Sequence, residues 1–224
     1  MRGKPGKSAT NRTLEPVYQV WGWTLLVWSL YRYFLKLPEA FDEFVAKPIV
    51  FLGPLLWYVF KKEKRGMASL GITTNNLFTS LYVGVGFGFV FALEGIAANA
   101  IKYGKIQFNP IAAFDQYGMA TLFVLSIATA VSEEILSRGF VFGRIMEKTK
   151  NLPKAILIST ALFVLLHVPI LVTTLHLQGM MLVLFFVTDI VLGMANSILY
   201  YNTKSLAAPI LVHVFLNMTV ALYL

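Results

Sequence analysis

The chain has 224 residues, of which 57% are hydrophobic and only 13% are charged, and its formal net charge is +8. A soluble domain is about a quarter charged, so this composition excludes a water-facing globule. The absence of cysteine excludes disulfides, thiolate nucleophiles and cysteine-based zinc sites. We therefore expect one membrane domain over residues 1–224.

Apolar runs along the chain predict an all-α bundle of about seven transmembrane helices. A hydrocarbon core about 30 Å thick requires about 20 apolar residues per helix. The second helix is expected to be the least regular, because Pro48 and Pro54 interrupt it, and the fourth is too long to lie wholly in lipid. The predicted helices are 17–36, 44–60, 77–100, 117–146, 153–171, 179–201 and 205–223.

Basic residues are distributed unevenly between the two ends of this bundle. Thirteen Lys and Arg residues fall on the side of a basic arm at residues 1–16, and five fall on the other side. Cytoplasmic connections carry the excess of Lys and Arg, so the N-terminus is expected in the cytoplasm and the C-terminus outside. The basic segments lie between long apolar runs. This pattern indicates contact with a lipid bilayer and no nucleic-acid partner. The five residues on the other side are Arg32, Lys36, Lys47, Lys102 and Lys105.

Several ionisable side chains interrupt or border the apolar runs, where a charge costs at least about 2.5–3.5 kcal/mol on the insertion scale. Such residues persist where they pair, face a cavity or take part in chemistry. His176 falls in a predicted loop and is expected to be solvated, whereas Asp189 could line a cavity or serve packing. The full set is Glu94, Glu133, Glu134, Arg138, His167, His176, Asp189 and His213.

The fourth predicted helix carries two adjacent carboxylates and an arginine. Glu134 and Arg138 are four residues apart, which puts them on one helical face and allows an ion pair. Glu133 points about 100° away from Glu134. Burial disfavours the charge of Glu133 unless a nearby cation counters it. The alternative is that all three residues are polar contacts between packed helices.

The fifth and seventh predicted helices each carry an imidazole. Phe163 and His167 share one face, as do His213 and Asn217. A buried histidine is commonly a hydrogen-bonded core residue, and an asparagine in a membrane helix often bonds a neighbouring helix. Together with Glu133, however, these side chains supply a base for water, a group to orient it and donors for an oxyanion. Neither an HExxH nor a GxSxG motif is present.

The motifs EExxxR at 133–138, FxxxH at 163–167 and HxxxN at 213–217 occur in this order within residues 116–223. This pattern resembles the CAAX prenyl protease 2 family, the Rce1/Abi group of CPBP intramembrane endopeptidases. The resemblance implies a protease that hydrolyses a peptide bond near the C-terminus of a CAAX-type prenylated, otherwise lipidated, or other membrane-associated peptide or protein. The shortness of the chain and the lack of a retention signal favour a prokaryotic cell membrane.

The resemblance also implies roles for the motif residues. Glu133 would be the general base, His167 would help to position the attacking water, and His213 and Asn217 would stabilise the oxyanion. The family is also described as metalloproteases, and Glu133, His167 and His213 would then bind zinc, for which two His and a carboxylate suffice. A glutamate base requires no cofactor. The residues implied to shape the site are Glu134, Arg138 and Phe163.

Two functions from other classes remain open on the sequence. In a small ion- or proton-coupled transporter, the same charged residues would form a relay. A catalytically inactive scaffold, or a bacteriocin-immunity protein, could keep the motifs for stability. The variant Glu133→Gln separates these possibilities, because an enzyme would stay folded and lose turnover whereas a scaffold would keep its biological effect.

Overall fold

The computed structural model describes residues 14–223, except the side chains of residues 112 and 113; most of the predicted basic arm lies outside this range. Within it the chain forms seven long helices and no strand, so the predicted all-α membrane bundle is confirmed. The helices follow the predicted order, and most boundaries shift by only a few residues. They are α1 Glu15–Phe34, α2 Glu39–Glu63, α3 Leu77–Tyr103, α4 Phe114–Thr149, α5 Leu152–Leu175, α6 Gly179–Thr203 and α7 Ala207–Tyr223.

The seven helices differ in how strongly their composition marks them as membrane spans. Five of those described, α2 to α6, are long and apolar enough to cross a membrane, and α7 is a shorter apolar helix of 17 residues. The first helix, α1, carries three Trp and three Tyr residues. These amphipathic rings favour the membrane–water interface and lower the mean hydropathy of α1 compared with its neighbours.

Three helices contain wide π-helical turns, and in α5 the turn is its last segment, Leu171–Leu175. In α2 these turns surround the prolines, as expected for the least regular helix, since proline lacks the N–H that the α-helical pattern requires. In α4 a π-helical stretch, Ile135–Phe142, follows directly after Glu134. Such turns are uncommon and often occur at functional sites. Near its start α4 also bends at Gly118, whose φ of 71° places it in the left-handed region that favours glycine.

Close packing around α4 and α7 depends on positions without a side chain. A Cβ atom at Gly88 in α3 would lie 2.5 Å from the ring of Phe215 in α7, whereas one at Gly86 would meet nothing within 4 Å. A Cβ atom at Gly139 in α4 would lie 2.5 Å from the backbone oxygen of Leu70, in the short 3-10 turn Met67–Leu70 that follows α2. Glycine at such positions lets the backbones of neighbouring elements approach closely.

We expect Gly139→Ala to destabilise the protein by about 1–3 kcal/mol, because the added methyl group overpacks against a backbone atom that cannot rotate away. The matched control is Gly86→Ala, which enters open space inside a helix and should be neutral or stabilising by up to about 1 kcal/mol, since alanine has the higher helix propensity. Thermal unfolding of both variants in detergent measures the difference. Equal effects at the two positions would contradict the close contact between Gly139 and Leu70.

Candidate active site

The two adjacent carboxylates of α4 lie at the centre of a buried polar cluster. Glu133 is 6% exposed and Glu134 is fully buried, so both charges are removed from solvent. Four other helices each bring at least one polar side chain to them, which joins the motif residues of α4, α5 and α7 in one place. The side chains from the other helices are Lys47 of α2, His167 of α5, Asp189 and Asn196 of α6, and His213 of α7.

One oxygen of Glu134 binds donors from three helices. Its Oε1 atom lies 3.1 Å from Nη1 of Arg138, 3.0 Å from Nδ2 of Asn196 and 2.9 Å from Nδ1 of His213. The ion pair with Arg138 is the one expected from their spacing. Arg138 also stacks on the ring of Phe163, with its guanidinium carbon 4.1 Å from the ring centre. Glu134 therefore holds α4, α6 and α7 together through charge-assisted hydrogen bonds.

This contact fixes the orientation of the His213 ring. Because Glu134 has only acceptor atoms when ionised, Nδ1 of His213 carries the hydrogen of their bond. The opposite ring nitrogen, Nε2, then faces Glu133, 3.7 Å from its Oε2 atom. The first carboxylate of the pair is thus approached by an imidazole that the second carboxylate orients.

The His167 ring approaches the same atom from α5. Its Nδ1 atom lies 3.1 Å from the backbone oxygen of Phe163, one turn earlier, and 3.5 Å from Oδ2 of Asp189. Its Nε2 atom is 3.4 Å from Oε2 of Glu133. That oxygen is buried and accepts no hydrogen bond from the described residues. Two imidazole nitrogens therefore converge on one unbonded carboxylate oxygen.

The other oxygen of Glu133 faces a cation that we placed elsewhere on sequence grounds. Nζ of Lys47 lies 3.1 Å from Oε1 of Glu133 and 2.7 Å from Oε1 of Glu43. Lys47 was counted from the sequence among the five basic residues at one end of the bundle, and the structure shows that its side chain is 6% exposed. The available signal was its position within a predicted helix, four residues after Glu43.

The remaining candidates occupy different places. Asn217 is half-buried and forms no hydrogen bond or ion pair with any residue that the structure describes. Asp189 lies beside His167, and exposed His176 ends α5, as expected for a solvated residue. Glu94 accepts a hydrogen bond of 2.7 Å from the hydroxyl of Thr188 and forms no hydrogen bond or ion pair with the described side chains of the cluster. The sequence analysis missed Asn196, because nothing distinguishes its amide from an ordinary contact between helices.

A small cavity of about 40 Å³ adjoins the side of Glu133 that faces α1, α2 and α5. A cavity needs only about 10–15 Å³ of such volume to hold a water molecule, so this one can take water but not a peptide. Within residues 14–223, no group of three or more His, Asp or Glu side chains is arranged to hold a metal ion. Lys47 also brings a positive charge to the carboxylate that a zinc ion would use.

Comparison with known proteins identifies the C-terminal half of the chain. Residues 115–219 match the family model described as Rce1-like, type II CAAX prenyl endopeptidase. They run from the first turn of α4 into α7 and contain all three motifs. No curated protein and no solved structure matches the chain. The segment 115–219, which holds the motif residues of α4, α5 and α7, is thus similar to the Rce1-like family of type II CAAX prenyl endopeptidases.

Proposed function

We propose that this integral membrane protein cleaves a peptide bond near the C-terminus of a prenylated or otherwise lipidated protein, with Glu133 as the base that activates water. The observation that carries the proposal is the unbonded Oε2 atom of Glu133, which His167 and His213 approach at 3.4 and 3.7 Å. Hydrogen bonds to water are about 2.8 Å long, so one water molecule can contact this oxygen and either imidazole nitrogen together.

In the proposed reaction, Oε2 of Glu133 takes a proton from that water as the oxygen of the water attacks the scissile carbonyl carbon. His167 holds the water, and its ring is kept in place by Phe163 and Asp189. The protonated Glu133 then gives its proton to the departing amine, which completes general base and general acid catalysis by one carboxylate.

Charge that develops on the carbonyl oxygen requires donors. His213 supplies an Nε2–H when both of its ring nitrogens carry hydrogen, and the bond from Nδ1 to Glu134 orients the ring. Asn217 lies one turn further along α7 and supplies a second donor once the substrate is bound. Preorganised donors of this kind commonly provide the largest share of transition-state stabilisation.

The surroundings of the cavity favour an apolar, membrane-embedded substrate. Its walls are mostly hydrophobic, and its small volume means that the helices around it must separate before a peptide can reach Glu133. A lipidated peptide is already held in the bilayer, so its approach between helices does not require transfer through water. The apolar side chains of the cavity wall are Trp28, Phe51, Leu166 and Ile170.

Replacement of Glu133 by glutamine should lower the kcat for a fluorogenic farnesylated CAAX peptide by at least about 100-fold, the contribution expected of a general base. Removal of metal by a chelator should leave the wild-type rate unchanged. The matched control, Glu94→Gln, changes a membrane carboxylate outside the site and should keep the rate within a few-fold. Full activity of a folded Glu133→Gln protein would exclude the proposed base, and loss with chelator that zinc restores would favour the metalloprotease mechanism.

Substitution of either proposed oxyanion donor by alanine should lower kcat with little change in KM, because the donor acts on charge that exists only in the transition state. We expect a loss of about 10²- to 10³-fold for His213→Ala or Asn217→Ala. Asn202→Ala, at an exposed amide on α6, serves as the control. An Asn217→Ala enzyme with wild-type kcat would remove this residue from the mechanism.

We also propose that the protein lies in a prokaryotic cell membrane. The distribution of Lys and Arg favours an orientation with the N-terminus in the cytoplasm and the C-terminus outside. An alkaline phosphatase fusion at the C-terminus should therefore be active, since this enzyme folds in an oxidising compartment, and a fusion between α2 and α3 should be inactive. An inactive fusion at the C-terminus together with an active fusion between α2 and α3 would indicate the opposite orientation in the membrane.

A further inference from the structure

Lys47 stands out because it lies outside the residues that match the family and yet contacts the proposed base. A buried ammonium group is costly unless it is paired, and Lys47 is buried beside two carboxylates. Its Nζ atom lies 2.7 Å from Glu43 on its own helix and 3.1 Å from Glu133 on α4. The distribution of basic residues between the two membrane faces does not explain a lysine in this place.

The contacts of Lys47 form part of a regular arrangement between α2 and α4. Glu43 and Lys47 are four residues apart on α2, and Thr129 and Glu133 are four residues apart on α4. The hydroxyl of Thr129 donates to Glu43, Glu43 accepts from Lys47, and Lys47 donates to Glu133. These four residues, which we name the α2–α4 ladder, fix the ammonium group from both helices.

Because of the ladder, the two carboxylate oxygens of Glu133 have different neighbours. Lys47 binds Oε1 of Glu133, and the imidazoles of His167 and His213 approach Oε2, which accepts no hydrogen bond from the described residues. When a fixed cation binds one oxygen of a carboxylate, the carboxylate group can no longer turn freely about the bond that joins it to the rest of the side chain. Its free oxygen is then directed to one place, where the water would be.

We propose that Lys47 is a positioning residue for the hydrolytic reaction, which binds Oε1 of Glu133 and so presents Oε2 to the attacking water. The inference rests on the proposed function of Glu133 as a base, and it extends the active site to α2, beyond residues 115–219. Lys47 acts through Glu133 and need not contact the substrate. A lysine that only joined α2 to α4 would contribute to stability and leave turnover of the folded protein unchanged.

The test compares the full-length, detergent-solubilised protein with Lys47→Met, which keeps the length of the side chain without its charge, and Lys47→Arg, which keeps the charge. We expect Lys47→Met to lower kcat for the farnesylated CAAX peptide by about tenfold or more, since small misplacements of reacting groups are costly, while KM stays within a few-fold. Lys47→Arg should recover part of the loss. Lys61→Met, at the exposed end of α2, should retain the wild-type kcat.

Wild-type kcat in the folded fraction of Lys47→Met would overturn the positioning role, as would a loss confined to KM. If the wild-type protein itself cleaves no CAAX peptide, the proposed function fails, and the contact is tested by stability alone. In that case Tm is measured for Lys47→Met, Glu133→Gln and the double variant. Changes in Tm that are clearly non-additive support the pairing of Lys47 with Glu133, and strictly additive changes overturn it.

Discussion

The structure depends on the burial of two adjacent carboxylates inside a membrane bundle. Each charge would be prohibitive without partners, and one helix turn cannot supply partners to both Glu133 and Glu134, since their side chains point in different directions. Glu134 uses Arg138 of its own helix together with donors from α6 and α7, whereas Glu133 uses Lys47 from α2. The requirement to compensate these charges therefore determines which helices must meet around α4.

The two carboxylates consequently have different chemistry although they are neighbours in sequence. Glu134 has one oxygen saturated by three donors, which makes it a structural anchor that also orients His213. Glu133 has one oxygen bound to a cation and the other left without a hydrogen bond among the described residues. Oε2 of Glu134 also lacks a hydrogen bond among the described residues. The difference is that Oε2 of Glu133 is approached by two imidazole nitrogens, those of His167 and His213.

Close helix packing and irregular turns support this arrangement. The approach of Gly139 to the backbone of Leu70 fixes α4 just beyond the carboxylates, and the π-helical stretch Ile135–Phe142 sets the rotation of the residues that follow them. On the other side of the bundle, Gly88 allows α3 to pack closely on α7, the helix that carries His213. The buried cluster thus lies on closely packed helices.

The sequence by itself determined the seven helices, because long apolar runs have no stable alternative in lipid, and it determined the pairing of Glu134 with Arg138, because that pairing needs only one helical face. It also singled out Glu133, His167 and His213 as candidates, since ionisable residues are rare in such runs. Only the tertiary structure decided which helices meet at Glu133. Lys47 and Asn196 reach the two carboxylates across helix interfaces, and contacts between residues far apart in the chain leave no periodic pattern in a single sequence.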